Sequence, residues 1–187
     1  MRIGAGHVKT ALDDLGITSF VKTSGSKGVH IHVPLEPRWD GYAVRLAAVA
    51  LARELQRRHP DLLTCEWWKE ERGERVLVDF NQNAPHKTMF GAWSARPRAG
   101  GQVSTPIRWD EIDTVEPEQL TIATVPGRVV EAGDPWADIG DRAQSLEPLL
   151  AWHDRDRAAG LPDAPWPPVY PKMPHEPSRV APSRAKK

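Results

Sequence analysis

Alternating apolar and polar residues predict two strands that each bury one face. In residues 29–35 the apolar side chains occupy every second position, and His30 and His32 fall on the opposite face. Residues 75–80 give the strongest strand signal, with Phe80 on one face and Asp79 on the other. We therefore expect a sheet in which the two histidines share a face.

The chain between and around these strands predicts helices. Tyr42–His59 is rich in Ala, Leu and Val and lies between Gly41 and Pro60, so we expect a helix packed against a sheet. An earlier helix ends at Gly16. The other predicted elements are strands at Ile17–Val21, Thr64–Lys69 and Gln119–Arg128, a polar loop at Lys22–Gly28, a helical turn and short strand within Asn81–Pro97, a short helix after Pro106, and a closing helix at Ser145–Ala159.

These elements predict an α+β fold with a mixed or antiparallel sheet flanked by helices. The 187 residues, 40% of them hydrophobic, suffice for one domain with its own core, which we place at residues 1–159. Residues 160–187 differ, because they hold eight prolines and end in a basic run. That composition predicts a Pro-rich tail with no means of burying a core.

Charge and cysteine content narrow the classes of function. The 25 basic and 25 acidic residues cancel, so any contact with nucleic acid must come from a local patch. Cys65 is the one cysteine, which excludes an internal disulfide and suits a reducing compartment. The longest apolar stretch, Leu46–Ala52, is too short to cross a bilayer. We expect a soluble, cytoplasmic protein with no membrane partner.

The polar turn Ser24–Gly28 carries the clearest binding chemistry. Its glycines let backbone amides approach an anion, while Ser24 and Lys27 supply a hydroxyl and a positive charge. His30 follows on the next strand, within reach of whatever the turn holds. The turn precedes a strand and lacks GxxxxGK[ST], so it is not a Walker loop. From the residues alone, the simpler interpretation is a hairpin turn at the surface, with both histidines on a solvent-exposed face of the sheet.

A carboxylate and several arginines lie further along the chain. Asp79 interrupts an apolar strand, where a carboxylate is costly unless it is paired or binds a metal such as Mg²⁺ or Mn²⁺. The alternative is an Asp at a strand end that accepts hydrogen bonds from loop amides or lies at the solvent edge. Arginines suit phosphate through their planar donor groups, although each alone is more simply a surface residue. They are Arg72, Arg75, Arg96 and Arg98.

Taken together, these segments resemble the polymerase domain of bacterial ligase D, a member of the archaeo-eukaryotic primase superfamily. The resemblance extends from about Leu12 to the predicted closing helix. Each stretch that carries the resemblance is only moderately specific for the family. Together they are strongly specific, because their order and spacing match those of the family. The stretches are Lys22–Leu35 (KTSGSKGVHIHVPL), Arg75–Asn83 (RVLVDFNQN), Ala95–Arg98 (ARPR) and Val103–Asp110 (VSTPIRWD).

The resemblance implies a role for each candidate residue. Ser24, Lys27 and His30 match the superfamily's second motif, which holds the triphosphate of an incoming NTP or dNTP. Asp79 matches the carboxylate of the third motif, a ligand of Mg²⁺ or Mn²⁺. Three more side chains fall where the family places contacts to the nucleotide, with the last of them on phosphate: Arg72, Gln82 and Arg96.

One departure from the family limits the expected activity. The first motif, two aspartates spaced D-x-D, has no counterpart before Ser24, and one carboxylate cannot form a two-metal site. The resemblance implies a nucleotidyltransferase (polymerase or primase) of non-homologous end joining, acting on DNA ends or a primer-template. Its implied partners are a DNA ligase and an end-binding protein of the Ku type.

We expect a partial domain that lacks the family's N-terminal module and is inactive alone. The alternative is a catalytically inactive, truncated paralogue that acts as a nucleotide-binding, DNA-end-binding or interaction module.

Overall fold

The computed structural model describes residues 2–85, 87–97 and 100–167. The chain divides into two compact units, each made of two separate segments. The first unit comprises Met1–Glu36 and Met89–Gln144, and the second comprises Pro37–Thr88 and Ser145–Lys187.

Helices and short strands alternate along the chain, which confirms the predicted α+β class. The helices are α1 (Arg2–Asp13), α2 (Gly41–Arg58), α3 (Val125–Ala132) and α4 (Glu147–Ala158). The strands are β1 (Phe20–Thr23), β2 (Val29–His32), β3 (Leu63–Thr64), β4 (Val76–Leu77), β5 (Ser94–Ala95), β6 (Val103–Ser104) and β7 (Pro106–Ile107). Short 3-10 turns occupy Lys69–Glu71, Asn81–Asn83, Trp109–Glu111, Pro117–Gln119 and Ile139–Asp141. No helix among the described residues is both long and apolar enough to span a membrane.

A three-stranded antiparallel sheet organises the first unit. Its order is β2-β1-β7, so β1 is the central strand, and all four of its residues are buried. The register pairs Lys22 with His30 and Phe20 with His32. Strands β5 and β6 form a separate antiparallel pair. Both polar residues of β1, Lys22 and Thr23, are fully buried.

The core of the first unit collects apolar side chains from the sheet and from the helices beside it. Val29 and Ile31 of β2 pack against this core as the alternating pattern predicts. His30 and His32 therefore share the other face of β2, and their rings lie 6.5 Å apart. The buried members of the core are Ala5, Val21, Val103, Ile107, Ile112, Leu120 and Val125.

Helix α2 is the main element of the second unit. It begins after Asp40, whose carboxylate accepts a hydrogen bond from the Ala43 amide at 2.8 Å, and it ends two residues before Pro60. The prediction for this helix is confirmed to within one residue at each end. Its main partner is α4, with further contacts to β3 and to the 3-10 turn Asn81–Asn83. The sheet that it meets is only the two-residue parallel pair of β3 and β4.

Glu54 connects α2 to α4 through ion pairs. Its carboxylate accepts hydrogen bonds from Arg58 of α2 at 2.7 Å and from Arg155 of α4 at 2.9 Å. Burial alone would raise the pKa of Glu54, but these hydrogen bonds and the nearby arginine charges lower it. The ionised carboxylate is therefore the stable form at neutral pH.

Arg45 is fully buried in the second unit and binds the chain that follows α4. Its guanidinium donates to the Asn81 side chain at 3.1 Å, to Asp163 at 3.1 Å and to the Ala164 carbonyl at 2.8 Å. It also stacks on the Trp166 ring at 4.0 Å. The first part of the predicted tail thus differs from the expectation, since residues 163–166 are packed. Residues 168–187 of that segment lie outside the described residues.

Several predicted elements have different bounds or a different structure. The strand predicted at Thr64–Lys69 is reduced to Leu63–Thr64, and a 3-10 turn occupies Lys69–Glu71. The strand predicted at Arg75–Phe80 shortens to Val76–Leu77. The loop predicted from Lys22 begins at Ser24 instead, because β1 continues to Thr23. The strand predicted at Gln119–Arg128 is wrong. Its β-branched residues favour a strand locally, but Pro126 in the first turn of α3 suits a helix start.

The Arg45 cluster gives a stability prediction. Arg45→Ala should reduce the free energy of unfolding by about 3 kcal/mol or more, because it leaves buried acceptors unpaired. The control is Arg38→Ala, whose ion pair with Glu147 is exposed and should contribute less than about 1 kcal/mol. Urea unfolding of both variants measures the difference. Equal, small losses in both would contradict the structural role of Arg45.

Candidate functional site

The turn between β1 and β2 closes on itself through Ser24. The Ser24 amide donates to the Gly28 carbonyl at 2.8 Å, and the Gly28 amide donates to the Ser24 hydroxyl oxygen at 3.0 Å. A hydroxyl that accepts one hydrogen bond keeps its own hydrogen for donation. Ser24 therefore shapes the turn and can still donate to a ligand. Lys27 is exposed in the same turn.

Gly25 brings the turn against Arg96. Its backbone is left-handed, with φ of 66°, a conformation that favours glycine. A Cβ at this position would lie 2.4 Å from Cγ of Arg96 and 3.1 Å from the Ser104 amide nitrogen. Any larger residue would therefore displace the arginine side chain.

Lys22 is buried beneath this turn with all its neighbours polar. Its Nζ lies 3.0 Å from Nδ1 of His30, 2.9 Å from the Phe90 carbonyl oxygen and 2.5 Å from the Ser104 hydroxyl oxygen. Burial and the adjacent charge of Arg96 lower the pKa of Lys22 to about 8. The side chain is still mostly an ammonium at pH 7.

The two histidines on β2 are neutral at physiological pH. Burial, followed by the charges of Lys22 and Arg96, lowers the pKa of His30 to about 4. Burial, followed by Lys22 and His30, lowers the pKa of His32 to about 4. Nε2 of His32 is buried and has no hydrogen-bond partner among the described residues, and its ring lies 4.9 Å from that of Trp136.

Arg96 adds a second positive charge beside Lys22. Its guanidinium stacks on the half-exposed Phe90 ring at 3.5 Å, and its Nε is buried without a hydrogen-bond partner in the described part of the chain. Among the described residues, no carboxylate lies within 4.0 Å of the charged groups of Lys22 or Arg96. Two neighbouring cations with buried donors favour binding of an anion.

The structure therefore brings together four of the predicted site residues in the first unit: Ser24, Lys27, His30 and Arg96. The other three belong to the second unit. Asp79 is exposed; its carboxylate accepts a hydrogen bond from the Asn81 amide at 2.9 Å, and the Gln82 side chain lies 3.5 Å away. Arg72 donates to the carbonyls of Glu66 and Trp67. Arg98 lies outside the described residues.

The described residues do not by themselves fit a metal cluster. No group of three His, Cys, Asp or Glu side chains with the spacing to hold an ion occurs among them. Asp79 offers a single carboxylate, which accepts a hydrogen bond from the Asn81 amide. This contact is the one expected of an Asp that binds loop amides, the alternative to a metal ligand. No chemical step is therefore assigned to a metal here.

Three residues of this site, Lys22, Phe90 and Ser104, are not among the predicted site residues. Lys22 was assigned to the loop, whereas its place in a central strand pairs it with His30. The available signal was that it follows Phe20 and Val21 directly, so that β1 could continue through it. Phe90 carries no sequence pattern that links it to the turn. Ser104 belongs to the stretch Val103–Asp110 that carries the family resemblance, but nothing in that stretch indicates its contact with Lys22.

Comparison with known proteins shows which family the chain matches. A family model described as the LigD primase-polymerase domain matches residues 1–136. The multifunctional non-homologous end joining protein LigD of Pseudomonas aeruginosa is 36% identical over 75% of the chain, and that of Mycolicibacterium smegmatis is 32% identical over 90%. The bifunctional LigD of Bacillus subtilis is 34% identical over 79%. The chain spans 17%, 22% and 24% of the lengths of these relatives.

A solved structure is similar in fold as well as in sequence. It is the polymerase domain of ligase D from Mycobacterium tuberculosis in complex with DNA. The similarity has a TM-score of 0.70 with 31% identity, and covers 76% of this chain and 50% of that one. Both the fold class and the resemblance drawn from the sequence motifs are thereby confirmed.

The lowered histidine pKa values predict how stability depends on pH. The unfolded chain, with histidine pKa near 6.5, binds more protons than the folded chain between pH 6.5 and 4, so stability should fall as the pH falls through this range. Urea unfolding at pH 7 and pH 5 measures the loss. The double variant His30→Gln, His32→Gln should lose less than the wild type.

Unfolding at pH 8 is the control, because both histidines are then neutral in either state and any difference comes from sources other than histidine protonation, such as packing and the contact with Lys22. An equal loss from pH 7 to pH 5 in wild type and variant would contradict the assignment.

Proposed function

Because the chain belongs to the LigD primase-polymerase domain family, we propose that it binds the triphosphate of an NTP or dNTP through its first unit. The observation that carries the proposal is the pair of cations, Lys22 and Arg96, beside the turn Ser24–Gly28, against which the described residues place no carboxylate. A triphosphate supplies negative charge opposite both cations and an acceptor for the buried Nε of Arg96.

Each side chain of the first-unit site has a distinct task in this proposal. Arg96 provides a fixed planar donor group, because stacking on Phe90 restricts its orientation. His30 donates one neutral hydrogen bond, and Ser24 donates its hydroxyl hydrogen. Lys27, exposed in the turn, adds a mobile charge. Backbone amides of the turn complete the donor set, since Gly25 lets the chain approach closely.

The role in end joining comes to this chain from its relatives and is part of the proposal. We infer that the nucleotide would be added at DNA ends or on a primer-template, in work shared with a DNA ligase and an end-binding protein of the Ku type. The similar Mycobacterium tuberculosis domain is in complex with DNA, which supports nucleic acid as a partner. Arg72 and Gln82 are proposed as nucleotide-contacting residues on the family resemblance alone.

Asp79 is proposed as a ligand of Mg²⁺ or Mn²⁺. Divalent ions neutralise negative charge on the phosphate oxygens when a nucleotidyl group is transferred. With one carboxylate available, the remaining ligands would be water and other oxygen atoms. The alternative function, a catalytically inactive nucleotide- or DNA-end-binding module, is favoured by the finding that the described residues form no metal cluster.

Triphosphate affinity tests the proposed cradle. Arg96→Ala and His30→Ala should each weaken ATP binding by about tenfold or more, since each removes a hydrogen bond to a charged group. Lys27→Ala should weaken it by about threefold, because an exposed charge contributes less. Titration calorimetry with ATP and with adenosine gives the measurement.

The matched control is Lys9→Ala, which removes an amine that pairs with Asp13 on α1 and should leave ATP affinity unchanged. Unchanged ATP affinity in all three cradle variants would refute the assignment, as would equal losses for ATP and adenosine.

Metal binding by the chain without nucleotide should be weak. A single carboxylate should give one Mg²⁺ or Mn²⁺ site of about millimolar dissociation constant at best. Asp79→Asn should remove it, whereas Asp61→Asn, another exposed aspartate, should not. Titration calorimetry that finds two tight sites would contradict this prediction.

A further inference from the structure

We propose that Lys22 is the positioning residue of the triphosphate site, and that it determines which nitrogen of His30 is presented to the nucleotide. In this proposal Lys22 donates to Nδ1 of His30, so the ring carries its proton on Nε2. The inference rests on the proposed function, because the tautomer of His30 matters for activity only if His30 contacts a ligand.

With Lys22 as an ammonium, the hydrogen bonds around it have one consistent arrangement. An ammonium has three N–H groups and no acceptor, and Nζ has three partners that can accept, on His30, Phe90 and Ser104. The Ser104 hydroxyl donates its own hydrogen to the Thr23 carbonyl at 2.9 Å, which leaves its oxygen to accept from Lys22. Every donor then has an acceptor, and Nδ1 of His30 must be without a proton.

This arrangement leaves His30 as a neutral donor. With its proton on Nε2, the imidazole offers one N–H and no charge across the physiological pH range. The titratable or charged groups that act on it among the described residues are Lys22, His32 and Arg96, which are two cations and a second neutral ring. In this proposal Lys22 and Arg96 supply the positive charge that attracts the phosphate, and His30 supplies a directional hydrogen bond.

Lys22 also positions the second phosphate contact. The ammonium holds the carbonyl of Phe90 at 2.9 Å, and the ring of the same residue lies against the Arg96 guanidinium at 3.5 Å. One buried cation thus fixes the imidazole directly and the guanidinium through Phe90. Loss of Lys22 should disturb both contacts although the side chain itself has no solvent-exposed surface.

The tautomer of His30 can be measured directly by NMR of the ¹⁵N-labelled full chain without nucleotide at pH 7. We expect the Nε2–H tautomer in the wild type. Lys22→Met, which keeps the length of the side chain but removes its donors, should produce a mixture of tautomers, raise the pKa of His30 towards its ordinary value, and weaken ATP binding by about tenfold or more. Ser104→Ala, which keeps the contact between Lys22 and His30, should retain the tautomer.

The outcomes separate this proposal from the proposed function. A wild-type ring protonated on Nδ1, or on both nitrogens at pH 7, would overturn the positioning role whatever the ATP affinity, and this holds even if Lys22→Met does not fold. A folded Lys22→Met protein with the wild-type tautomer would also overturn it. If wild-type protein shows the Nε2–H tautomer but does not bind ATP, the proposed function fails and the effect of Lys22 on His30 stands.

Discussion

A lysine ammonium buried in the central strand of a sheet constrains everything around it. Three acceptors must converge on it, since a buried cation without hydrogen bonds would be strongly destabilising. Here they come from β2, from the segment that contains Phe90 and from β6. These segments are far apart in the sequence, so Lys22 requires the first unit to fold as a whole. The sheet face that carries Lys22 and His30 is polar because the ammonium needs these acceptors.

The same constraint explains why the site favours an anion. Hydrogen bonds satisfy the donors of Lys22 but do not neutralise its charge, and Arg96 adds a second positive charge nearby. The described residues place no carboxylate against either cation. The protein tolerates this arrangement at a cost in stability, visible in the lowered pKa of Lys22. Such strain is expected where a charged ligand completes the electrostatics of a site.

The sequence predicted the local features of this fold well and the long-range ones poorly. Helix α2 was found because its composition and flanking Gly41 and Pro60 are local signals. The shared face of His30 and His32 followed from the period of a strand. Lys22 was placed in a loop because nothing near it in the sequence indicates that β1 pairs on both edges. The strand predicted at Gln119–Arg128 failed because Pro126 mattered more than the β-branched residues before it. Family motifs indicate His30 and Arg96, but their partners, Lys22 for His30 and Phe90 for Arg96, are defined by tertiary contacts.

The most direct test of the account is where a triphosphate binds. Backbone and side-chain NMR signals of the full chain, followed during titration with ATP, report this residue by residue. The account predicts that the largest changes occur at the amides of Ser24–Gly28, at the ring of His30 and at the Nε–H of Arg96. Changes confined to other basic surfaces, such as Arg57 and Arg155, with these signals unmoved, would contradict it.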